Sequence, residues 1–530
     1  MPLSAPHRLT LLAALPILAF AIWIRAAGIG TAPMWLDEAY SAYAAGKGWH
    51  FLWTVVPRYE THPPFYYSLL RGWTLLAGDG LVAHRLLGLV CGVAAMPVVA
   101  VAAHRLATLA GAARTPAALA AFTLAGVSPV LVWMSREVRP YPLMILVYAI
   151  AIVALFAIAG RRREGGPLAG RGFAAYLGCQ ALLLWLHNLG PLYAAALGCA
   201  LLCVARVTAM RRADWLWFFA GHAIVLVLWL PALLILLDQA PEWVRATWLK
   251  FGTEGLWLRA TMMFTGSGDD ARIAAGLLAL SGGALLWRAR DGRRLLAALL
   301  LLALLPLGIS LIISATIAPV FIVRTMTPLA VPAILLFAIG LGWRRPRQMR
   351  LIALAPMLWL IAAQGWSDIH QRRQSEGDWY RALSWLQPRF RPGDMVFAYP
   401  NEGALPFDRA VRDKGLAMPS RPVPTAIPTL SPPPGSWYVS GSRGVPSLDR
   451  RHLRSIAEAP ETRAIPTIWL LRLGPWAYDK GDVFLEELSR ERMNVGRYRD
   501  KAIDIQGLRS SPARGGGTRS DGGGERPDAR

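Results

Sequence analysis

Long apolar runs alternate with short arginine-rich stretches over the first two thirds of the chain. Each run is about 20 residues long, which is the length that a helix needs to cross a bilayer. The pattern predicts an α-helical polytopic membrane protein of about 11 spans, or 11 to 13 if short runs are counted differently. The predicted spans lie near residues 9–28, 82–103, 116–134, 141–160, 173–187, 189–205, 214–237, 271–287, 294–314, 319–342 and 350–366.

The pattern changes after residue 366, where polar positions become frequent. Residues 378–387 have the periodicity of an amphipathic helix. Three short apolar segments predict strands, and a proline-rich linker spans 418–435; the segments are Met395–Tyr399, Trp437–Ser440 and Thr467–Arg472. A small α/β domain over 367–512 is therefore predicted to follow a membrane domain over 1–366. The glycine- and arginine-rich residues 513–530 are predicted to be disordered.

Composition and charge support this division. Of the 530 residues 55% are hydrophobic and only 17% are charged, whereas soluble domains carry about 25% charged residues. The net charge of +23 is concentrated in the arginine-rich loops, which the positive-inside rule assigns to the cytoplasm. This predicts a cytoplasmic N-terminus, an extracytoplasmic C-terminal domain and no nucleic-acid partner. The four cysteines lie in apolar segments without metal-ligand or disulfide spacing, and no cleavable signal peptide is evident.

The predicted first outer loop, 29–81, holds two adjacent acids, Asp37 and Glu38, in an apolar and aromatic setting. Carboxylates at a membrane surface are costly unless they are used. Partial burial raises the proton affinity of a carboxylate and suits it to act as a base. The alternative, that both are solvated loop acids, stays open at this point.

The same loop continues with Glu60-Thr61-His62-Pro63-Pro64-Phe65-Tyr66. Proline at the first helical positions predicts a helix start, and the positive end of that helix favours an anion such as phosphate near His62. Glu60 and Tyr66 are further candidates for the same site. The alternative is a turn in which His62 is merely exposed.

Arginines on the predicted outer face are unexpected, because the positive-inside rule places basic residues mainly in cytoplasmic loops. The connection 135–140 contains Glu137 and Arg139 and leads to Tyr141, and Arg324 lies near the outer start of a later span. Such arginines predict a specific anion or carboxylate partner. The alternative is that they reach lipid headgroups as membrane anchors. His187-Asn188, between two spans, is interpreted as a turn.

Together these motifs resemble the polyprenyl-phosphate-dependent glycosyltransferases of the GT-C type. The similarity is to bacterial relatives of protein O-mannosyltransferases and of the aminoarabinose transferase that modifies lipid A. Asp37-Glu38 matches the family's acidic first outer loop, and His62-Pro63-Pro64-Phe65-Tyr66 matches its Pro-Pro segment. The motif Arg139-Pro140-Tyr141 matches an Arg-x-Tyr element, and 324–328 matches the start of a late span in part. His62 stands where the aminoarabinose branch has lysine, and Thr325 where the family has an aromatic residue.

The resemblance implies an inverting transfer of a hexose or pentose from a polyprenyl-phosphate-linked donor to a hydroxyl of a protein, glycolipid or envelope polysaccharide. It implies a multi-pass protein of the bacterial cytoplasmic membrane with a periplasmic site. Asp37 and Glu38 are the expected catalytic residues, with Asp37 as the base and Glu38 placing the acceptor or a metal ion. His62, Arg139, Tyr141 and Arg324 are expected to bind the donor phosphate. Whether a divalent metal ion joins the two acids stays open.

Three other classes of function remain as alternatives. A flippase or transporter of lipid-linked sugars is expected to have inverted repeats and helices broken near mid-membrane, whereas the polar residues here lie at the outer ends of spans. A scaffold would leave the acidic and His-Pro-Pro loops unexplained. A polymerase or ligase of surface glycans is close in chemistry and is not separated by these motifs.

Reporter fusions test the predicted orientation. A reporter fused after residue 370 is expected to be exported, and fusions at 165 and 346 are expected to stay cytoplasmic, because the arginine clusters hold their loops inside. Alkaline phosphatase and green fluorescent protein fusions at each position report the two sides. An exported reporter at 165 would reverse the orientation and with it the predicted outer-face site.

Overall fold

The computed structural model describes residues 5–246, 250–266, 268–370, 377–430, 448–479 and 481–511. A helical bundle extends to residue 370, and a small sheet domain follows. The bundle helices are α1 Ala5–Ala26, α2 Leu36–Gly46, α3 Phe65–Ala77, α4 Leu81–Ala110, α5 Arg114–Val127, α6 Pro129–Met134, α7 Tyr141–Arg163, α8 Arg171–Leu186, α9 Gly190–Val204, α10 Arg212–Ala246, α11 Leu256–Thr265, α12 Asp269–Arg288, α13 Gly292–Thr316, α14 Ala330–Ile339 and α15 Arg347–His370.

Each of the eleven apolar stretches contains a helix, which confirms the polytopic helical prediction. Within the described ranges, seven helical segments are long and apolar enough to cross a membrane; they are Leu81–Ala110, Tyr141–Arg163, Arg212–Pro241, Asp269–Arg288, Gly292–Thr316, Val323–Gly342 and Arg347–Ile369. Two shorter apolar helices, Leu12–Ala26 and Gly190–Val204, accompany them. The number of spans stays a prediction.

Two predicted stretches are not single continuous α-helices. The stretch 116–134 is broken at Ser128, whose backbone is extended because Pro129 disfavours a helical residue before it. The stretch 319–342 contains the 3₁₀ turn Val323–Leu329 before α14. Pro328 has no N–H for the carbonyl of Arg324, and the Thr327 hydroxyl donates to that carbonyl at 2.9 Å instead. Arg324 therefore lies on a tight turn.

The predicted first outer loop contains two α-helices, α2 and α3, and between them a π-helix and a 3₁₀ turn over 51–58. α3 begins directly after Pro64, as the two prolines predict. The sequence did not predict α2, although four of its eleven residues are alanine, the strongest helix former. Asp37 and Glu38 lie in its first turn, where acidic side chains interact favourably with the helix dipole.

The C-terminal domain is built on a five-stranded mixed sheet in the order β2-β1-β3-β5-β4. β1 is parallel to β2 and β3, and β5 is antiparallel to β3 and β4. Its elements are α16 Trp379–Leu386, β1 Met395–Tyr399, α17 Ala404–Asp413, β2 Ser420–Pro422, α18 Arg450–Glu458, α19 Pro460–Arg463, β3 Thr467–Leu473, α20 Pro475–Tyr478, α21 Val483–Ser489, β4 Arg492–Asp500 and β5 Ile503–Ser510.

The small α/β domain was predicted in outline. α16, β1 and β3 confirm the predicted helix and two of the predicted strands. The third predicted strand, Trp437–Ser440, and the predicted disordered tail lie outside the described residues. The β4–β5 hairpin was not predicted, because β4 is mostly polar and lacks the alternation of a half-buried strand.

This domain packs directly against α2. Leu36, at the start of α2, packs on the domain core around Trp379, Phe407 and Trp469. The Tyr43 hydroxyl donates to the carbonyl of Ile427 at 2.5 Å. The helix that carries the two adjacent acids therefore lies between the bundle and the C-terminal domain.

Candidate functional site

Asp37 forms an ion pair with an arginine almost 300 positions later in the chain. Nη2 of Arg324 donates to Oδ2 of Asp37 at 3.0 Å, and the guanidinium also lies 4.8 Å from the centre of the Trp35 ring. The side chains of Asp37 and Arg324 remain 11% and 28% exposed. Both side chains thus keep some exposure while the ion pair holds them in place.

Glu38 has very different surroundings, because successive residues of a helix point about 100° apart. Its side chain and that of Arg85 are fully buried. Nε and Nη2 of Arg85 donate to the two carboxylate oxygens at 3.2 and 2.8 Å, and the backbone N–H of Val138 donates to Oε1 at 3.1 Å. Glu38 therefore joins α2 to α4 and to the connection 135–140, and its carboxylate is occupied by these partners.

The carboxylate of Glu137 binds two tryptophan side chains, one of which lies beside Arg324. Its two carboxylate oxygens accept hydrogen bonds from Nε1 of Trp35 at 2.6 Å and Nε1 of Trp133 at 3.1 Å. Trp35 in turn lies against the guanidinium of Arg324. Glu137 thus contacts the Asp37–Arg324 pair indirectly, by orienting the ring beside it.

Arg139 is almost completely buried in this region, at 4% exposure. Among the described residues, none accepts a hydrogen bond from its Nε or Nη1. Burial is the largest single effect and disfavours its charged form, but Asp37, Tyr141 and Tyr67 together outweigh it, and the pKa of Arg139 is raised well above its ordinary value. Arg139 is therefore a fixed cation with two buried N–H donors that an anion can use.

Glu60, His62 and His187 form a hydrogen-bonded chain. Nδ1 of His62 lies 2.9 Å from Oε1 of Glu60, and its Nε2 lies 3.1 Å from Nε2 of His187. The amide of Asn188 donates to the hydroxyl of Thr61 at 3.2 Å, which ties the same two segments together. The His-Asn pair is thus part of the site and not only a turn.

Two buried tyrosines complete these surroundings. The ring of Tyr141 lies 5.7 Å from the ring of His187 and 5.8 Å from the guanidinium of Arg139. Burial raises the pKa of Tyr66 well above its ordinary value, so its hydroxyl stays protonated. Tyr66 therefore presents a neutral phenol.

The site unites segments that are far apart in the sequence. Asp37, Arg139 and Arg324 form its charged centre. The two arginines and His62 also act electrostatically on His187. The sequence did not indicate Arg85 as a residue of this region, and it indicated His187 only as part of a turn. No local signal pointed to this site, since His84-Arg85 and His187-Asn188 are isolated polar pairs in apolar stretches. In the described part of the chain, no group of three His, Cys, Asp or Glu residues is arranged to hold a metal ion.

No protein-family model and no curated protein sequence matches the chain. Solved structures do. The apo structure of ArnT from Cupriavidus metallidurans superposes with a TM-score of 0.60 over 95% of this chain and 98% of that chain, at 13% identity. The structure of the same protein bound to undecaprenyl phosphate gives 0.54, with 93% and 97% covered at 12% identity. ArnT is a GT-C glycosyltransferase.

The chain has the GT-C fold. Similarity over nearly the whole of both chains includes the C-terminal sheet domain as well as the helical bundle. This confirms the fold class that the motifs predicted. At 12–13% identity the similarity shows the fold alone. The roles of individual residues are argued from the geometry of this protein.

The Glu38–Arg85 pair generates a stability prediction. Replacing Glu38 by Gln leaves the buried Arg85 without its counter-charge, which is expected to lower the free energy of unfolding by about 3–5 kcal/mol. The measurement is thermal unfolding of the detergent-purified protein. Glu254→Gln, at an exposed position, is the matched control and should unfold like the wild type. Equal melting temperatures for all three proteins would show that the pair is not needed for stability.

Proposed function

We propose that this protein transfers a sugar from a polyprenyl-phosphate-linked donor to a hydroxyl acceptor at the outer face of a bacterial cytoplasmic membrane. The observation that carries the proposal is the Asp37–Arg324 pair beside the unpartnered N–H groups of Arg139. It combines an accessible carboxylate with cations suited to phosphate. The GT-C fold, and the binding of undecaprenyl phosphate by ArnT, support the donor class.

Asp37 is the proposed general base. A sugar or side-chain hydroxyl is a poor nucleophile at neutral pH, and a positioned base contributes about 10²–10⁴-fold to the rate of such a step. Asp37 takes the proton of the acceptor hydroxyl as its oxygen bonds to the anomeric carbon. The bond from that carbon to the phosphate oxygen breaks, and its electron pair leaves with the phosphate.

The two arginines are proposed to hold the phosphate of the donor. Arg139 has two buried N–H groups for it, and Arg324 uses only Nη2 for Asp37. Guanidinium groups bind phosphate through paired donors, and such donors stabilise the negative charge that develops on a leaving phosphate. His62 and Tyr141 lie close enough to this centre to assist.

Glu38 is proposed to position α2 and not to contact the acceptor or a metal ion, because Arg85 and Val138 occupy its carboxylate. Retaining transfer commonly needs a second carboxylate as nucleophile about 5 Å from the first. With Glu38 engaged, the geometry supports a single displacement, which inverts the anomeric centre. The proposed acceptor is a hydroxyl of a protein, a glycolipid or an envelope polysaccharide, and the proposed donor sugar is a hexose or a pentose.

Substitution of Asp37 tests the base. Asp37→Asn keeps the size of the side chain but removes its basicity, so transfer is expected to fall about 10²–10⁴-fold while the protein still inserts. The measurement is transfer of radiolabelled sugar from lipid donor to acceptor in membranes that contain equal amounts of each variant. Asp269→Asn, whose side chain is 90% exposed, is the control and should stay active. Near-native transfer by Asp37→Asn would refute the assignment.

Substitution of Arg324 tests the phosphate contact. Arg324→Lys keeps the charge but loses the paired donors, so the affinity for undecaprenyl phosphate is expected to fall about tenfold or more. Titration by native mass spectrometry in detergent measures the dissociation constant. Arg272→Lys, at the start of α12, is the matched control. Unchanged affinity of Arg324→Lys would reduce Arg324 to a membrane anchor.

A further inference from the structure

The hydrogen bonds around His187 determine where its proton lies. The backbone N–H of Leu189 donates to Nδ1 of His187 at 3.0 Å, so this nitrogen presents its lone pair. A neutral His187 must then carry its proton on Nε2. The ring is 2% exposed and feels the positive charges of Arg139 and Arg324, which disfavour a second proton.

The state of His187 determines the state of His62. The two Nε2 atoms lie 3.1 Å apart and share one proton, which His187 donates. Nε2 of His62 is therefore an acceptor, and its own proton lies on Nδ1, where it is donated to the carboxylate of Glu60 at 2.9 Å. In this arrangement both imidazoles are neutral.

A proton added to His62 is incompatible with this contact. Both Nε2 atoms would then carry hydrogen and face each other at hydrogen-bonding distance, and His187 cannot turn its other nitrogen because Leu189 occupies it. Glu60 lies against Nδ1 of His62, and the charges of Arg139 and Arg324 act on its partner His187, with Asp37 and the Tyr141 ring beside those arginines. An anion that enters beside the two rings favours an added proton there.

We infer that His62 and His187 form a proton-linked receptor for the donor phosphate. Arrival of the phosphodiester separates the two imidazoles, His62 takes one proton from solvent, and both Nε2–H groups donate to phosphate oxygens. Glu60 stabilises the imidazolium through Nδ1. The inference rests on the proposed function, and it adds His187 to the donor site together with a dependence of donor binding on pH.

Calorimetry with a phosphodiester tests the proton uptake. The probe is farnesyl methyl phosphodiester, whose single charge does not titrate near neutrality. Binding to the detergent-purified protein at pH 7.5 in buffers of different ionisation enthalpy measures the protons taken up. About one proton per bound diester is expected. Where a full proton is taken up, the association constant should fall about tenfold for each unit by which the pH rises. Binding without proton uptake would overturn the inference.

Variants separate this inference from the proposed function. His62→Gln keeps an N–H donor but cannot take the proton, so binding should persist with uptake near zero. His104→Gln, away from the site on α4, should behave like the wild type. Uptake that persists in His62→Gln would overturn the inference. Failure of the wild type to bind the diester at any pH between 5.5 and 8.5 would instead refute the proposed donor class.

His187 is tested by His187→Asn. The shorter amide oxygen can still accept from the N–H of Leu189, but no group reaches His62. Loss of one donor to a charged phosphate is expected to weaken diester binding about tenfold, and proton uptake should decrease because His62 is no longer held neutral in the empty site. Unchanged diester affinity and unchanged proton uptake would show that His187 does not bind the phosphate and only forms a turn. If this variant does not fold, the proton uptake measured with the wild-type protein still tests the inference.

Discussion

The buried ion pair between Glu38 and Arg85 is the contact on which the site depends. Two fully desolvated charges are tolerated only when every donor and acceptor is used. Arg85 meets this condition by also donating to the carbonyls of Ile29, Ala32 and Pro33 at 2.7, 2.8 and 3.1 Å. The pair therefore fixes the chain between α1 and α2, the start of α2 and the connection 135–140 in one arrangement.

Three consecutive residues of α2 have three different partners because a helix turns about 100° per residue. Leu36 packs on the C-terminal domain, Asp37 pairs with Arg324 and Glu38 pairs with Arg85. One turn of helix thus connects the sheet domain, the accessible acid and the buried support. Any shift of the C-terminal domain on α2 is transmitted to Asp37 through a single backbone segment.

Charges of both signs lie close to Asp37. Arg324 pairs with Asp37, the charge of Glu137 also acts on Arg324, and Nε and Nη1 of Arg139 have no hydrogen-bond partner among the described residues. Buried charges of this kind are costly unless they are used. In the proposed site the donor phosphate uses these donors of Arg139, and the histidine pair adds further donors.

The sequence by itself determined the helical membrane architecture, the small α/β domain and the candidate residues, because hydrophobic periodicity and local motifs are short-range properties. Its motifs assigned Asp37 as the base and Glu38 as the residue that places the acceptor or a metal ion. The sequence did not show that Arg85 occupies Glu38, or that His187 contacts His62. Their roles arise from contacts such as Arg85–Glu38, 47 positions apart, and His62–His187, 125 positions apart. Only the tertiary structure decides these roles, since burial and hydrogen-bond partners depend on which distant segments pack together.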